Sequence, residues 1–356
     1  MSLCSHHHLL IVLMMLLIPL QGRAEPLLLK NFDKAQKGDY VVVTINKNDT
    51  LFHIFDRTEH SFIIEEITVP SSHLPKTEMN WPRWVEQGAP HHTSWVMYEI
   101  EPSSGRLLEF FSFTQQGWAE VTQGDHFLTT LLHLNVTKIP STERKRVGPA
   151  PLHRELDHRP LWQPPLFYQN QVIPDVTFGA WRAYWPNDGT ELAGKTVDVY
   201  LPQKEGPYIT YFPYWIEVRD GIAKAKVRLK DSGRQLHSPK TELPRRPPAF
   251  IDQGRFEQGK LILRLKTTPY TQDCAVFAIP EDDPWTMPIA LTYDKEETRE
   301  PHVFKLTVTP ETLSTSLSAG QRYRFSAIPR NNPRIAAETT KPLTWNSSNH
   351  INAKSS

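Results

Sequence analysis

The sequence predicts a mainly β protein: two antiparallel β-rich domains, the second sandwich-like, joined by a Pro-rich linker. Three observations lead there. Short β-branched and aromatic runs recur along the chain with turn residues between them, the pattern of half-buried strands. Thirty-one prolines against sixteen glycines disfavour long helices and confine strands to short runs. Ten tryptophans argue for a large aromatic core or for aromatic contact surfaces, and against disorder.

In chain order, Leu9 to Leu20 is a run of twelve uncharged residues. It is too short to span a hydrocarbon core, which takes about 20 residues as a helix, and has the length of a signal-peptide core. Gly22 and Ala24 put small residues at the −3 and −1 positions of a cut after Ala24. The region before the run holds His6, His7 and His8 in place of the usual Lys or Arg, and an uncleaved anchor is the alternative. Residues 1–24 are thus read as a secretory signal, and no integral membrane span is expected after cleavage.

Removing 24 of the 356 residues leaves 332, enough for two ordinary domains. Arg23 is the only charged residue removed, so 39 Lys and Arg balance 39 Asp and Glu. Zero balance gives no electrostatic reason to expect nucleic acid or an anionic membrane as partner. Cys274 is the one cysteine left, which rules out an internal disulfide. A signal with a single thiol fits a bacterial periplasm or envelope.

Residues 25–140 are expected to form the first β domain. Its strands are Asp39 to Ile45, Leu51 to Phe55, Ser61 to Val69, and Trp95 to Glu101 with Arg106 to Thr114 around the hairpin turn Pro102-Ser103-Ser104-Gly105. Leu132, Leu134 and Val136 alternate with polar residues as a further half-buried strand, and helical character is confined to the region of Gly124 to Leu132. Residues 141–165, with Glu143-Arg144-Lys145-Arg146 and Trp162-Gln163-Pro164-Pro165, read as a linker or surface strap. Residues 166–330 form the second domain. Its strands are Thr196 to Tyr200, Tyr208 to Val218, Ala223 to Leu229, Lys260 to Lys266, Cys274 to Ile279, Ile289 to Tyr293 and His302 to Thr309, with Gln321 to Ile328 as an addition. Residues 331–356 read as a flexible tail.

The stretches Gln87-Gly88-Ala89-Pro90-His91-His92-Thr93-Ser94-Trp95 and Tyr211-Phe212-Pro213-Tyr214-Trp215-Ile216-Glu217-Val218 resemble uncharacterised exported proteins of chlamydia-like intracellular bacteria. The resemblance implies an envelope setting and brings no catalytic motif with it.

Gly189 to Thr196 satisfies the phosphate-loop pattern G-x-x-x-x-G-K-[ST]. That loop needs a buried strand before it and a helix N-terminus after it. Here Tyr184-Trp185-Pro186-Asn187-Asp188 precedes it and the strand-like Val197 to Leu201 follows, so it reads as a turn entering a strand and no nucleotide is expected. His153-Arg154-Glu155-Leu156-Asp157-His158 offers metal ligands, yet interleaved arginines and the Pro-rich setting favour a solvated strap. His91 and His92 would form a metal or catalytic site only if the fold unites them with His53 or with Asp125 and His126. There is no G-x-S-x-G and no H-E-x-x-H, and Cys274 opens an apolar run as a buried thiol does.

Aromatic density is the remaining signal. Trp181, Tyr184 and Trp185 crowd one segment, and Tyr211, Tyr214 and Trp215 another. Flat faces with a polar edge suit sugars, extended peptides or a protein partner, and the competing reading is core packing. The expectation is an exported, periplasmic, envelope-associated or secreted protein with a non-enzymatic binding or structural role. It would engage protein or glycan of the envelope through these six side chains, without cofactor or metal. The rival is a metal-dependent hydrolase built on the histidine clusters.

Overall fold

Unbroken burial along strands that are not uniformly apolar is the first feature to explain. The computed structural model describes residues 26–75, 79–119, 127–151, 156–189, 192–219, 226–283, 285–338 and 341–346, and the expected signal lies outside them. In β1 (Tyr40–Ile45), β2 (Asn48–Arg57), β3 (Phe62–Pro70) and β4 (Ser94–Glu101), polar and apolar residues alike are buried over long stretches, while β5 (Arg106–Ser112) mixes buried and half-buried positions. Side chains alternate between the faces of a strand, so both faces of this sheet are covered.

Among the described residues, eleven strands share that sheet. β6 (Gly117–Trp118) forms one edge and β7 (Thr137–Lys138) the other. Across it the order is β6-β5-β4-β3-β2-β1, then β13 (Lys226–Gly233), β12 (Trp215–Val218), β11 (Thr196–Pro202), β10 (Phe178–Tyr184) and β7. β8 (Leu166–Tyr168) and β9 (Gln171–Ile173) form a separate hairpin. Its turn residues Gln169 and Asn170 both have positive φ, the conformation that tight hairpins demand. The inner face buries one large cluster running from Val41 and Phe52 to Val199 and Val227, closed by α1 (Leu27–Phe32) and α3 (Phe127–Leu132). The outer face over β1 to β4 packs on α2 (Trp81–Glu86), which starts at an Asn80 side chain accepting from the Arg83 amide.

The expected linker at 141–165 does not separate two sheets. β7 precedes it and β10 to β13 follow it, yet all lie in one sheet with β1 to β6. The division falls at Arg234–Pro248, which has no regular structure and leads into a smaller sandwich. One sandwich sheet contains β14 (Ala249–Phe250), β15 (Arg255–Glu257), β16 (Lys260–Lys266), β19 (Asp294–Glu297) and β20 (Val303–Val308). The other contains β17 (Cys274–Pro280), β18 (Ile289–Leu291), β21 (Arg322–Pro329), β22 (Ala337–Glu338) and β23 (Leu343–Thr344). Leu261, Leu263, Val276, Phe325 and Leu313 of α4 (Pro310–Ser316) are among the residues of their common core. The tail is ordered as far as it is described: β22 and β23 pair with β21, and Trp345 is buried against Phe256.

The hairpin β4–β5 turns at Pro102 to Gly105 as expected. Helical character is not confined to the region of Gly124 to Leu132, since α1 and α2 lie outside it, and two further expectations fail locally. Leu132 ends a helix rather than opening a strand, because Leu128, Leu131 and Leu132 take the helical spacing needed to face the inner core. Tyr208 to Tyr214 is irregular and strand begins only at Trp215; the segment's buried aromatic side chains fill the core from a loop containing Pro213.

On the outer face, three acids of adjacent strands lie near one another. Glu65 of β3 stands opposite Met97, two residues before Glu99 of β4, and Glu99 stands opposite Glu109 of β5. None is more than 4% exposed. Carboxylates survive such burial only when partnered, and the Arg234–Pro248 strap supplies partners. Ser238 Oγ donates to Glu65 Oε1 at 2.6 Å, beside the Trp95 indole at 2.9 Å, while His53 Nδ1 lies 2.8 Å from Oε2. Arg245 binds Glu99, which also accepts from Ser61 Oγ at 2.5 Å. The Arg246 amide donates to Glu109 at 3.0 Å; burial still pushes that carboxyl above its ordinary range. Leu236 and Leu243 fill the outer core between these clamps.

Removing a partner from a buried ionic network costs about 3–5 kcal/mol. Glu65→Ala strands the Trp95, Ser238 and His53 donors together, so it should lower stability by at least about 3 kcal/mol in urea titration. Glu59→Ala, at an 88% exposed side chain, should stay within about 0.5 kcal/mol of the parent.

Candidate functional site: a cleft on the outer face of the large sheet

One cross-strand row runs from β2 to β12: Asp49 opposite Thr44, Thr44 opposite Arg228, Arg228 opposite Trp215. Residues paired across strands share a face, and this row forms the floor of a cleft of about 1010 Å³. Ser71, Ser72, Leu74, Met79 and Trp81 line one side, and Pro165, Phe167 and Asn170 the other. The volume sits at the top of the range of about 300–1,000 Å³ common for small-ligand sites.

A β-bulge shapes the floor. Val42 pairs with Asp231 but Val43 with Leu229, so Lys230 is the extra residue on β13. Its ammonium reaches Asp49 Oδ2 at 2.7 Å and lies 5.6 Å from the centre of the Trp81 ring. Asp49 also accepts from Thr44 Oγ1 at 2.6 Å, so this buried acid is neutralised within the floor. Lys47 and Arg228 line the cleft and form no ion pair among the described residues.

Trp215 is half-buried and held from several directions. Its indole N–H donates to Glu217 at 3.0 Å, and the Trp162 ring crosses it at 5.1 Å and 66°. Lys226 lies 5.4 Å from the Trp215 ring centre and Lys145 lies 4.6 Å from that of Trp162, cation–π contacts that stiffen the pair. The opposite wall hangs on β13. Asp231 Oδ1 accepts from the Asn170 amide at 2.9 Å, and Ser232 Oγ donates to the Phe167 carbonyl at 2.9 Å.

The six aromatics expected to form one surface are divided among four environments. Tyr214 and Trp215 come together at the cleft, Tyr214 almost wholly buried with its hydroxyl 3.1 Å from Ser232 Oγ. Trp185 and Tyr211 belong to the inner core and present no face to a ligand. Trp185 stacks on Phe127, and Tyr211 donates to Asp39 at 3.1 Å. Half-buried Trp181 lines a shallow recess with Pro202 and Lys204, while exposed Tyr184 lines another with Glu143 and Arg182. Trp81 and Arg228 were not read as site residues: Trp81 sits in an unrecognised short helix, and Arg228 reads as an ordinary solvent-facing strand residue.

His53 joins Glu65, and His92 packs its ring 5.3 Å from Trp95, which donates to the same Glu65. His91 lies apart, beside His73. Among the described residues no three His, Cys, Asp or Glu side chains gather to hold a metal. Asp125, His126 and His153 to Glu155 lie outside the described residues; Asp157, clasped by Arg159 at 2.9 Å, is held down at about 2. Residues 192–194 form a turn and Thr196 opens β11, the turn entering a strand that the context of the phosphate-loop pattern predicts. Cys274 is buried and donates to the Thr271 carbonyl, and burial pushes its thiol up to about 11. Among the described residues no helix is long and apolar enough to cross a membrane.

The CT021 protein family model matches residues 50–174, which contain the Gln87 to Trp95 stretch, so the chlamydial resemblance holds over that part of the chain. A solved structure, the hypothetical protein CT021 from Chlamydia trachomatis, is similar at 17% identity and a TM-score of 0.43. The match covers 62% of this chain and 98% of that one. No curated protein matches.

Burial pushes the Asp231 carboxyl up to about 6. A raised carboxyl favours the protonated folded state, so this group's contribution is complete below about pH 4 and is lost as pH rises through about 6. The shift amounts to about 3 kcal/mol. Asp231→Asn should remove that decline: its stability relative to the parent, from urea midpoints, should improve between pH 4 and 7. A constant difference would contradict the assignment.

Proposed function

We propose that the chain is an exported envelope protein with a non-enzymatic binding role, engaging protein or glycan of the envelope through the cleft floored by Trp215. The observation that carries this reading is the cleft's composition. A rigid aromatic platform and two cations stand among hydroxyl and amide groups, which is recognition chemistry. Its lining carboxylate, Asp49, is occupied by Lys230 and Thr44, which leaves it poorly placed as a general acid or base. Export rests on the apolar run at Leu9 to Leu20 and the small residues before Glu25.

One experiment addresses both halves. Expressed with its own N-terminus in a Gram-negative host, the protein should fractionate with the envelope or periplasm and begin near Glu25. Its retention on isolated envelopes should fall at least about tenfold in Trp215→Ala, the loss expected of a central aromatic anchor. Tyr184→Ala should bind as the parent does. Cytoplasmic recovery, or equal binding by all three proteins, would refute the corresponding half.

A further inference from the structure

Backbone pairing limits what this cleft can hold. Its floor lies on β2, β1, β13 and β12, interior strands each paired on both sides in the eleven-stranded sheet. An incoming peptide therefore finds no sheet edge to extend on the floor, which removes from it the main-chain bonds that usually hold extended peptides. Recognition by the floor then falls to side chains, among them one aromatic platform and several short polar groups. Trp215 is a half-buried flat ring fixed by Glu217 and Trp162. Ser71, Ser72 and Asn170 offer short polar groups around it.

Charge narrows the ligand further. The described lining contains three cations, Lys47, Arg228 and Lys230, and one acid, Asp49, which Lys230 already neutralises. Two positive charges remain, and Arg228 stands directly opposite Trp215 in the β12–β13 register. A guanidinium beside an aromatic platform suits a ring with an apolar face and a carboxylate on its rim, because planar Arg grips carboxylate with two parallel bonds.

Resting on the binding role proposed above, we infer that the cleft takes an acidic saccharide, its sugar ring on Trp215 and its carboxylate on Arg228 and Lys47. Such a contact is partly ionic at an open surface, so it weakens with salt.

The test is calorimetric titration of the mature protein at low salt with three uronate oligosaccharides (hyaluronan, galacturonate and alginate hexamers), neutral chitohexaose and cellohexaose, and a hexaglutamate peptide. At least one uronate should bind, with neutral sugars and hexaglutamate at least tenfold weaker. Arg228→Ala should weaken the uronate at least tenfold and flatten its salt dependence, Arg228→Lys should restore part of it, and Trp215→Phe should retain more than Trp215→Ala. Circular dichroism confirms that each variant is folded. Tighter binding of a neutral sugar or of hexaglutamate, lost in Trp215→Ala, would overturn the acidic saccharide while leaving the binding role intact. Failure of all three uronates would also overturn it, and retention on envelopes then judges the binding role separately.

Discussion

Three glutamates on adjacent strands, buried on the outer face of the large sheet, set the terms for the rest of the molecule. Each would be intolerable alone, since an unpartnered buried carboxylate costs several kcal/mol. Because Glu99 and Glu109 are paired and Glu65 lies two residues along on the same face, their partners must arrive close together. The chain meets that demand with a single irregular segment, Arg234–Pro248, whose Ser238, Arg245 and Arg246 reach the three acids in turn. Prolines 239, 244, 247 and 248 keep the segment extended, and Leu236 and Leu243 seal the gaps between the polar contacts.

The same segment fixes what lies at each of its ends. Upstream it continues from β13, the strand that carries Arg228 and Lys230 to the cleft floor and Asp231 to the cleft wall. Downstream it opens the sandwich. There Arg245 stacks 3.8 Å from the centre of the Tyr270 ring, and Thr268 approaches Glu109 at 3.5 Å. The acids thus tie the strap to the large sheet and, through Arg245 and Thr268, to the sandwich. Coupling of this kind is a shared rigid element, with no second conformation required of it.

Much of the strand pattern was legible in the residues because alternation and turn chemistry are local. β1 to β5, the Pro102 to Gly105 hairpin and the sandwich strands β16, β17, β18, β20 and β21 fall where periodicity puts them. Domain division was not legible, because proline density marks a strap without saying whether it joins two domains or crosses one. Residues 141–165 and 234–248 are both Pro-rich, and only tertiary pairing shows that the large sheet continues past the first. The site was half legible. Clustered aromatics pointed to Trp215 and Tyr214, but Trp185 and Tyr211 resemble them in sequence and differ only in the face they occupy. A sharper signal was present in Glu65, Glu99 and Glu109, acids set inside otherwise apolar strands, with Arg245-Arg246 framed by prolines downstream.

Native-state hydrogen exchange measures most directly whether the glutamate row holds the strap to the sheet. The Leu236 and Arg246 amides donate to the Gly38 carbonyl and to Glu109 respectively, so both report on the strap. If the row is the clamp, these amides exchange only with the β3–β5 amides, in one cooperative opening, and Glu99→Ala releases them selectively. Exchange of the strap amides orders of magnitude faster than the sheet in the parent protein would contradict the account.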